Sequence, residues 1–318
     1  MKLLQPIFNN MNMPLLILML FSSYSFGQAP KIKDYKITIL STMLSDTHIG
    51  EWGFSALIEA DGQKILFDAG SREKTVLQNS EELDVDLENI ENVFISHNHK
   101  DHTGGLISLK ESYPSSFSNA HVGKGIFYSR PRANGADHYF LTNKKTYEAL
   151  GINFVSHSNP SQIMAGLWTT GQIPRKYDEK NWSELGKMID SNGNKVEDTI
   201  PEDQSLFFDT PDGIVIVSGC GHAGLVNTIE YVKKIIPNRP IHKLIGGFHL
   251  LKLNHEKLEW TANSMKEAGV QYFVGAHCTG LNSTYSIRNF MDLSSKNVLV
   301  GSVGTYITNE GIFPGYME

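Results

Sequence analysis

The run Asn92-Val-Phe-Ile-Ser96 leads without a break into His97-Asn98-His99-Lys100-Asp101-His102, and no other feature limits the fold so sharply. Its apolar, β-prone residues predict a buried strand. Side chains alternate along extended backbone, so His97, His99 and Asp101 project to one side. A helix is predicted from Thr103 to Glu111, stopped before Pro114, and a tight turn into it swings His102 to the same place. Four ligand-type groups at one strand end would crowd polar atoms without enough partners unless a cation sits among them. Imidazole and carboxylate donors suit zinc, and also iron or manganese.

Two more histidines follow strands in the same manner. His222 lies in Gly219-Cys-Gly-His-Ala-Gly224, just after Gly213-Ile-Val-Ile-Val-Ser218, and His277 follows Gln271-Tyr-Phe-Val-Gly-Ala276. Flanking glycines let backbone turn sharply and approach an ion closely. Read literally, Gly219-x-Gly221-x-x-Gly224 also matches a dinucleotide fingerprint. That reading fails, because the region where an acidic residue should hold the ribose runs Arg239-Pro-Ile-His-Lys-Leu-Ile-Gly246.

The rest of the chain alternates strand and helix. Strands are predicted at Lys36–Leu40, Phe54–Glu59 and Lys64–Asp68, with Asp61-Gly62 as a hairpin turn. Further strands are predicted at Ser205–Phe208, Gly213–Ser218, 242–246, Gln271–Val274 and 297–303. Helices are expected at 71–80, 223–236 and 255–268, the last ended by Gly269. Such alternation predicts α/β layers. Residues 120–203 are less regular, rich in proline, aromatic and basic residues, and are read as strands joined by long loops over the site. Arg130 and Arg175 there are candidates for gripping an anionic substrate, with Trp168 as a stacking wall.

Charge and cysteine count narrow the function classes. The chain of 318 residues carries 28 Lys+Arg against 34 Asp+Glu, a net −6, which argues against nucleic acid as a partner. Two cysteines cannot make a disulfide scaffold or a four-cysteine zinc site. Cys220 and Cys278 each adjoin a proposed ligand and are expected to pack there, with ligation or a mutual disulfide as alternatives. Residues 15–21, Leu-Leu-Ile-Leu-Met-Leu-Phe, followed by small residues, read as a secretory signal over 1–27, cut after Gly27, with a linker at 28–35. The run is shorter than the roughly 20 residues that span a bilayer, so a periplasmic or secreted protein without a membrane anchor is expected.

His97-x-His99-x-Asp101-His102, with His222 and His277 downstream, resembles the metallo-β-lactamase-fold hydrolase superfamily. The surrounding text is most similar to the branch of dihydropterin-methyl-ribofuranosylaminobenzene phosphate synthase-like proteins. The matching pieces are Glu51-Trp-Gly-Phe-Ser55, Ile65-Leu-Phe-Asp-Ala-Gly70, Ser96 to Leu106, Gly219 to Gly224, Gly246-Gly-Phe-His-Leu250 and His277-Cys-Thr-Gly280. The resemblance implies a four-layer αβ/βα sandwich over 36–318 with the site at one edge of two facing sheets. It also implies one ion on His97, His99 and His222, and a second on Asp101, His102 and His277. Most relatives bridge the ions with an Asp between the last two histidine motifs, whereas the similar branch carries Gly-Gly-Phe-His there. Residues 223–276 contain no Asp, and His249 stands in that slot as ligand, proton donor or hydrogen-bonding partner. Asp68, ending a strand, is expected to orient a ligand imidazole from behind.

The expected activity is metal-dependent hydrolysis of an ester, lactone or phosphoester-type small molecule, by hydroxide generated from water at a zinc pair. Asp101 would orient the nucleophile and His249 would protonate the leaving group. The branch suggests carbon–nitrogen bond formation on a pterin as the alternative, and a non-catalytic binder of a small molecule is a third.

Overall fold

The computed structural model describes residues 31–179, 182–183 and 185–316. The expected leader, 1–27, and linker residues 28–30 lie outside them. The chain begins with β1 (Tyr35–Ser41), β2 (Ser55–Ala60) and β3 (Gln63–Phe67). Asp61 and Gly62 turn the β2–β3 hairpin with φ of 46° and 79°, the left-handed pair that a two-residue turn matching strand twist requires. Then come α1 (Thr75–Glu82), β4 (Asn92–Ile95), α2 (Lys100–Thr103), α3 (Leu106–Ser112), β5 (Asn119–Gly123), α4 (Tyr139–Thr142), α5 (Lys144–Ala149) and β6 (Asn153–His157). β1 to β6 lie side by side in chain order, antiparallel up to β3 and parallel from β3 onward.

A second sheet follows. It is built from β7 (Ser161–Met164), β8 (Leu167–Thr169), β11 (Ser205–Thr210), β12 (Gly213–Ser218), β13 (Ile241–Gly246), β14 (Tyr272–Gly275) and β15 (Val298–Val300), with a separate hairpin of β9 (Lys187–Ile189) and β10 (Lys195–Glu197) between β8 and β11. Helices α6 (Leu225–Ile235), α7 (His255–Ala268) and α8 (Leu281–Met291) join its parallel strands β12 to β15. The chain then returns to the first sheet, where β16 (Tyr306–Thr308) pairs with β1 and β17 (Ile312–Phe313) closes the edge.

Alternation along the strands decides the layers. In β2 the side chains of Ala56 and Ile58 enter the core between the sheets, together with Phe67, Phe94, Val215, Val217 and Ile245. Their neighbours face outward: Leu57, Leu66, Val93 and Ile95 pack under Val76, Leu106, Phe140 and Tyr147 of the first helical layer. Ile214, Ile216, Leu244 and Phe273 pack under Leu225, Ile229, Met265 and Ile287 of the second. Three apolar cores thus separate four layers, helix–sheet–sheet–helix, an α/β architecture. Among the described residues no helix is long and apolar enough to cross a membrane.

Several elements differ from the sequence reading, the short strands β16 and β17 among them. The helix expected from 103 to 111 is broken at Gly104 and Gly105. A Cβ on either would meet backbone at 1.9 Å (Ser71 O) or 2.4 Å (Ala69 O), so the glycines let this turn press against the loop after β3. The 120–203 region contains α4 and α5 besides its strands. Helix α8 was not expected. It is rich in Ser, Thr, Asn and Tyr, and forms because Ser283, Thr284, Ile287 and Met291 are buried on one side.

Candidate metal centre

The C-terminal ends of β3, β4, β12, β13 and β14 meet at one edge of the sandwich, and each delivers functional side chains. Asp68 follows β3 with φ 53° and is completely buried. Its Oδ1 accepts the Ser96 N–H at 2.7 Å, and its Oδ2 lies 2.7 Å from both the Ser96 hydroxyl and His102 Nδ1. The Ser96 hydroxyl also stands 2.9 Å from His97 Nδ1. One carboxylate therefore anchors two imidazoles by their Nδ1 sides, directly for His102 and through Ser96 for His97, leaving both Nε2 atoms aimed into the site.

His97, His99 and His222 present ligand atoms that all lie within 4.8 Å of one another, and so do Asp101, His102 and His277. The His97 and His222 rings are 4.6 Å apart, and those of His102 and His277 5.0 Å. Buried His97 Nε2 has no hydrogen-bond partner among the described residues, nor has Nδ1 of His277. Buried orphaned imidazole nitrogens are costly. Their convergence with a carboxylate fits divalent cations that take nitrogen and oxygen donors. Residues expected from the sequence to gather are thus together, though far apart in the chain.

Electrostatics follow the same layout. Burial, reinforced by neighbouring imidazoles, drives His97 far below the ordinary histidine range, and burial takes His99 to about 4. Both are neutral near pH 7, the form that ligates. Burial alone would lower His102 too, but the Asp101 and Asp68 carboxylates outweigh it and lift the metal-free residue to about 9. Burial likewise pushes Asp101 up, yet His102 and His277 hold it well below the usual carboxylate range. Asp101 Oδ2 stands 3.2 Å from His277 Nε2. A cation would replace the His102 proton as the countercharge for these carboxylates.

His249 sits at the rim with φ 47°. Its ring is 4.5 Å from that of His222 and stacks on Trp182 at 5.6 Å, and Lys252 lies over the Trp182 ring. The ligand atoms of His249, His222 and Cys220 form a further group within 4.8 Å.

Three residues read as substrate contacts do other work. Arg130 is buried, and its Nε and Nη2 pair with Asp198 (2.8 and 3.1 Å) and Glu202 (2.8 Å), leaving no free face for an anion. Arg175 braces the turn that carries His222, donating to the His222 carbonyl at 2.5 Å and to the Thr199 carbonyl. Trp168 lies on β8 opposite Phe207 and packs into the outer helical core, away from the site. The sequence reading also missed two braces. Glu51, buried, accepts from Ser41 Oγ (2.7 Å), Ser71 N (2.8 Å) and Arg72 N (3.0 Å), which holds Trp52 with its ring 4.8 Å from that of His277. Asp203 accepts the Ala223 N–H at 2.8 Å beside His222, and burial pushes it up to about 6. Glu51-Trp-Gly53 in a loop was a local signal for the first, and nothing local marked Asp203.

Comparison with known proteins agrees with this architecture. The family model described as anti-Pycsar protein Apyc1 matches residues 36–119. The chain is 29% identical over 268 residues to the 7,8-dihydropterin-6-methyl-4-(β-D-ribofuranosyl)-aminobenzene-5'-phosphate synthase of Methanocaldococcus jannaschii, covering 81% of this chain and 91% of that protein. It is 30% identical over 263 residues to the uncharacterized protein MJ0448 of the same organism, covering 80% and 92%. Among solved structures, Tm1679, a metal-dependent hydrolase of the β-lactamase superfamily, superposes with a TM-score of 0.70 at 23% identity, covering 86% of this chain and 98% of that one. With two facing sheets, a histidine-rich edge and relatives that align along most of their length, the chain has the metallo-β-lactamase fold, belongs to one family with MJ0448, and is similar along most of its length to the dihydropterin-ribofuranosylaminobenzene phosphate synthase.

Proposed function

We propose that the protein is a metal-dependent hydrolase that holds two zinc ions, one on His97, His99 and His222 and one on Asp101, His102 and His277, and acts on a small anionic ester, lactone or phosphoester. The observation that carries this reading is the convergence of two separate three-donor groups at one sheet edge. Divalent ions held there supply Lewis acidity and an acidified water. The protein's own residues do the rest. Neutral His97 and His99 offer lone pairs without first losing a proton, and ionised Asp101 accepts a hydrogen bond that orients the attacking water. His249, only partly buried, stacked on Trp182 and with its ring tilted against that of His222, is positioned to protonate the leaving group. Lys252 over Trp182 adds positive charge at the mouth, suited to an anionic substrate.

Transfer chemistry on a pterin is the second reading, favoured by the extended similarity to the M. jannaschii synthase. Assaying purified protein against lactone, thioester, phosphodiester and β-lactam panels, and against a pterin with a phosphoribosyl-type partner, separates the two. His99→Ala and Asp101→Ala should each abolish turnover while circular dichroism shows the fold intact; full activity in either variant overturns the proposed centre. The reading includes export, for which the N-terminal sequence of protein from cell fractions is the check. Residue 28 at the terminus is expected, and an intact leader on cytosolic protein contradicts it.

A further inference from the structure

The two cysteines are part of the donor cluster, not bystanders to it. Cys220 occupies the turn after β12, where Gly219 is held so close that a Cβ would stand 2.1 Å from Ser96 Oγ and 2.7 Å from Asp68 Oδ2. This close approach carries the Cys220 sulfur to 3.1 Å from His102 Nε2. Its Sγ falls within 4.8 Å of ligand atoms in three groups: with His97 and His102, with His222 and His249, and with His277 and Cys278. His97 and His222 belong to one three-donor set, and His102 and His277 to the other. The sulfur is therefore common to both. His249, the residue standing where most relatives carry a bridging Asp, groups with Cys220 and His222.

Distances suit the role. Nitrogen and sulfur ligands on one tetrahedral zinc, at about 2.0 Å and 2.3 Å from the ion, stand roughly 3.6 Å apart. A thiolate has lone pairs enough for two ions. Cys278 is placed to steady it, with its sulfur 3.4 Å from Cys220 Sγ and itself accepting the His249 N–H at 3.3 Å. We propose that Cys220 is a ligand shared by the two ions, a sulfur bridge in place of the missing carboxylate. On binding, the S–H bond breaks, its proton leaves to solvent, and sulfur–metal bonds form with no change of oxidation state. The inference rests on the two-ion centre proposed above.

Cobalt titration of the chelator-stripped, fully reduced protein tests it, with absorbance as the readout. Visible ligand-field bands report that ions bind, and a near-ultraviolet sulfur-to-cobalt charge-transfer band reports a thiolate ligand. The expected result is a charge-transfer band that grows through both equivalents. Cys220→Ser should lose that band and bind one of the two ions at least about 10-fold more weakly, the lower end of the effect of losing an outer-shell partner. Cys278→Ser should keep the band. Cys220→Asp should restore binding of two ions without it, which guards against a folding defect in the serine variant. Two bound ions with no charge-transfer band in the wild-type protein overturn the sulfur bridge while leaving the metal centre standing, as does a band that vanishes with Cys278 instead. Absence of ligand-field bands overturns the centre and the bridge together.

Discussion

Asp68 is the residue on which the most geometry converges, since it fixes His102 directly and His97 through Ser96. Asp68→Asn keeps the shape but removes the charge, and is expected to weaken zinc binding about 10- to 100-fold, measurable by competition with a chromophoric chelator. The same variant has a pH signature in the metal-free protein. His102 is raised above its ordinary 6.5 to about 9, so the folded state binds its proton more tightly than the unfolded chain. Its contribution to stability is full below 6.5 and is lost as pH climbs through about 9. The thermal-midpoint advantage of wild type over Asp68→Asn should therefore narrow as pH rises from 6.5 through about 9. A gap that stays constant would break the link between the two side chains. At this scale the sequence was legible where donors are local. His97, His99, Asp101 and His102 are placed by strand alternation and one turn. Arg130 was misread because its partners Asp198 and Glu202 are 68 and 72 residues away, and nothing near it in the chain announces them.

Among elements, the long excursion between β8 and β11 depends on that buried pairing. Arg130→Ala would strand two carboxylates in the interior, at a cost of about 3–5 kcal/mol. Glu202, which burial already pushes up to about 7, would have to take up a proton. Urea denaturation should register the loss, while KM for an anionic substrate stays unchanged in the folded fraction. A raised KM at undiminished stability would return Arg130 to the substrate. Strands such as β2, β11 and β12 were readable as short apolar runs, because the two faces of each lie in two of the three cores. Helix α8 was not, since its residues form helix poorly alone and only the packing of Ile287 and Met291 under the second sheet selects it. Short strand β16 owes its existence to β1, a partner at the far end of the chain, and β17 in turn to β16.

At the scale of the whole molecule, His97, His99, Asp101 and His102 hang from the first sheet, and His222 and His277 from the second. Each ion of the proposed pair would take ligands from both sheets, and one such site stabilises the folded state by about 2.7 kcal/mol when free metal is a hundredfold above Kd. Chelation should accordingly lower the melting temperature, and stoichiometric zinc should restore it; an unchanged midpoint would mean that the two sheets do not share an ion. The chain passes from one sheet to the other between β6 and β7, and it comes back only when β16 lies down beside β1. Encoded as two peptides divided at residues 158–160, the protein would still share the apolar core between the sheets, the Arg130 pairs with Asp198 and Glu202 and that strand clasp, so the separated halves should find each other on mixing without added metal.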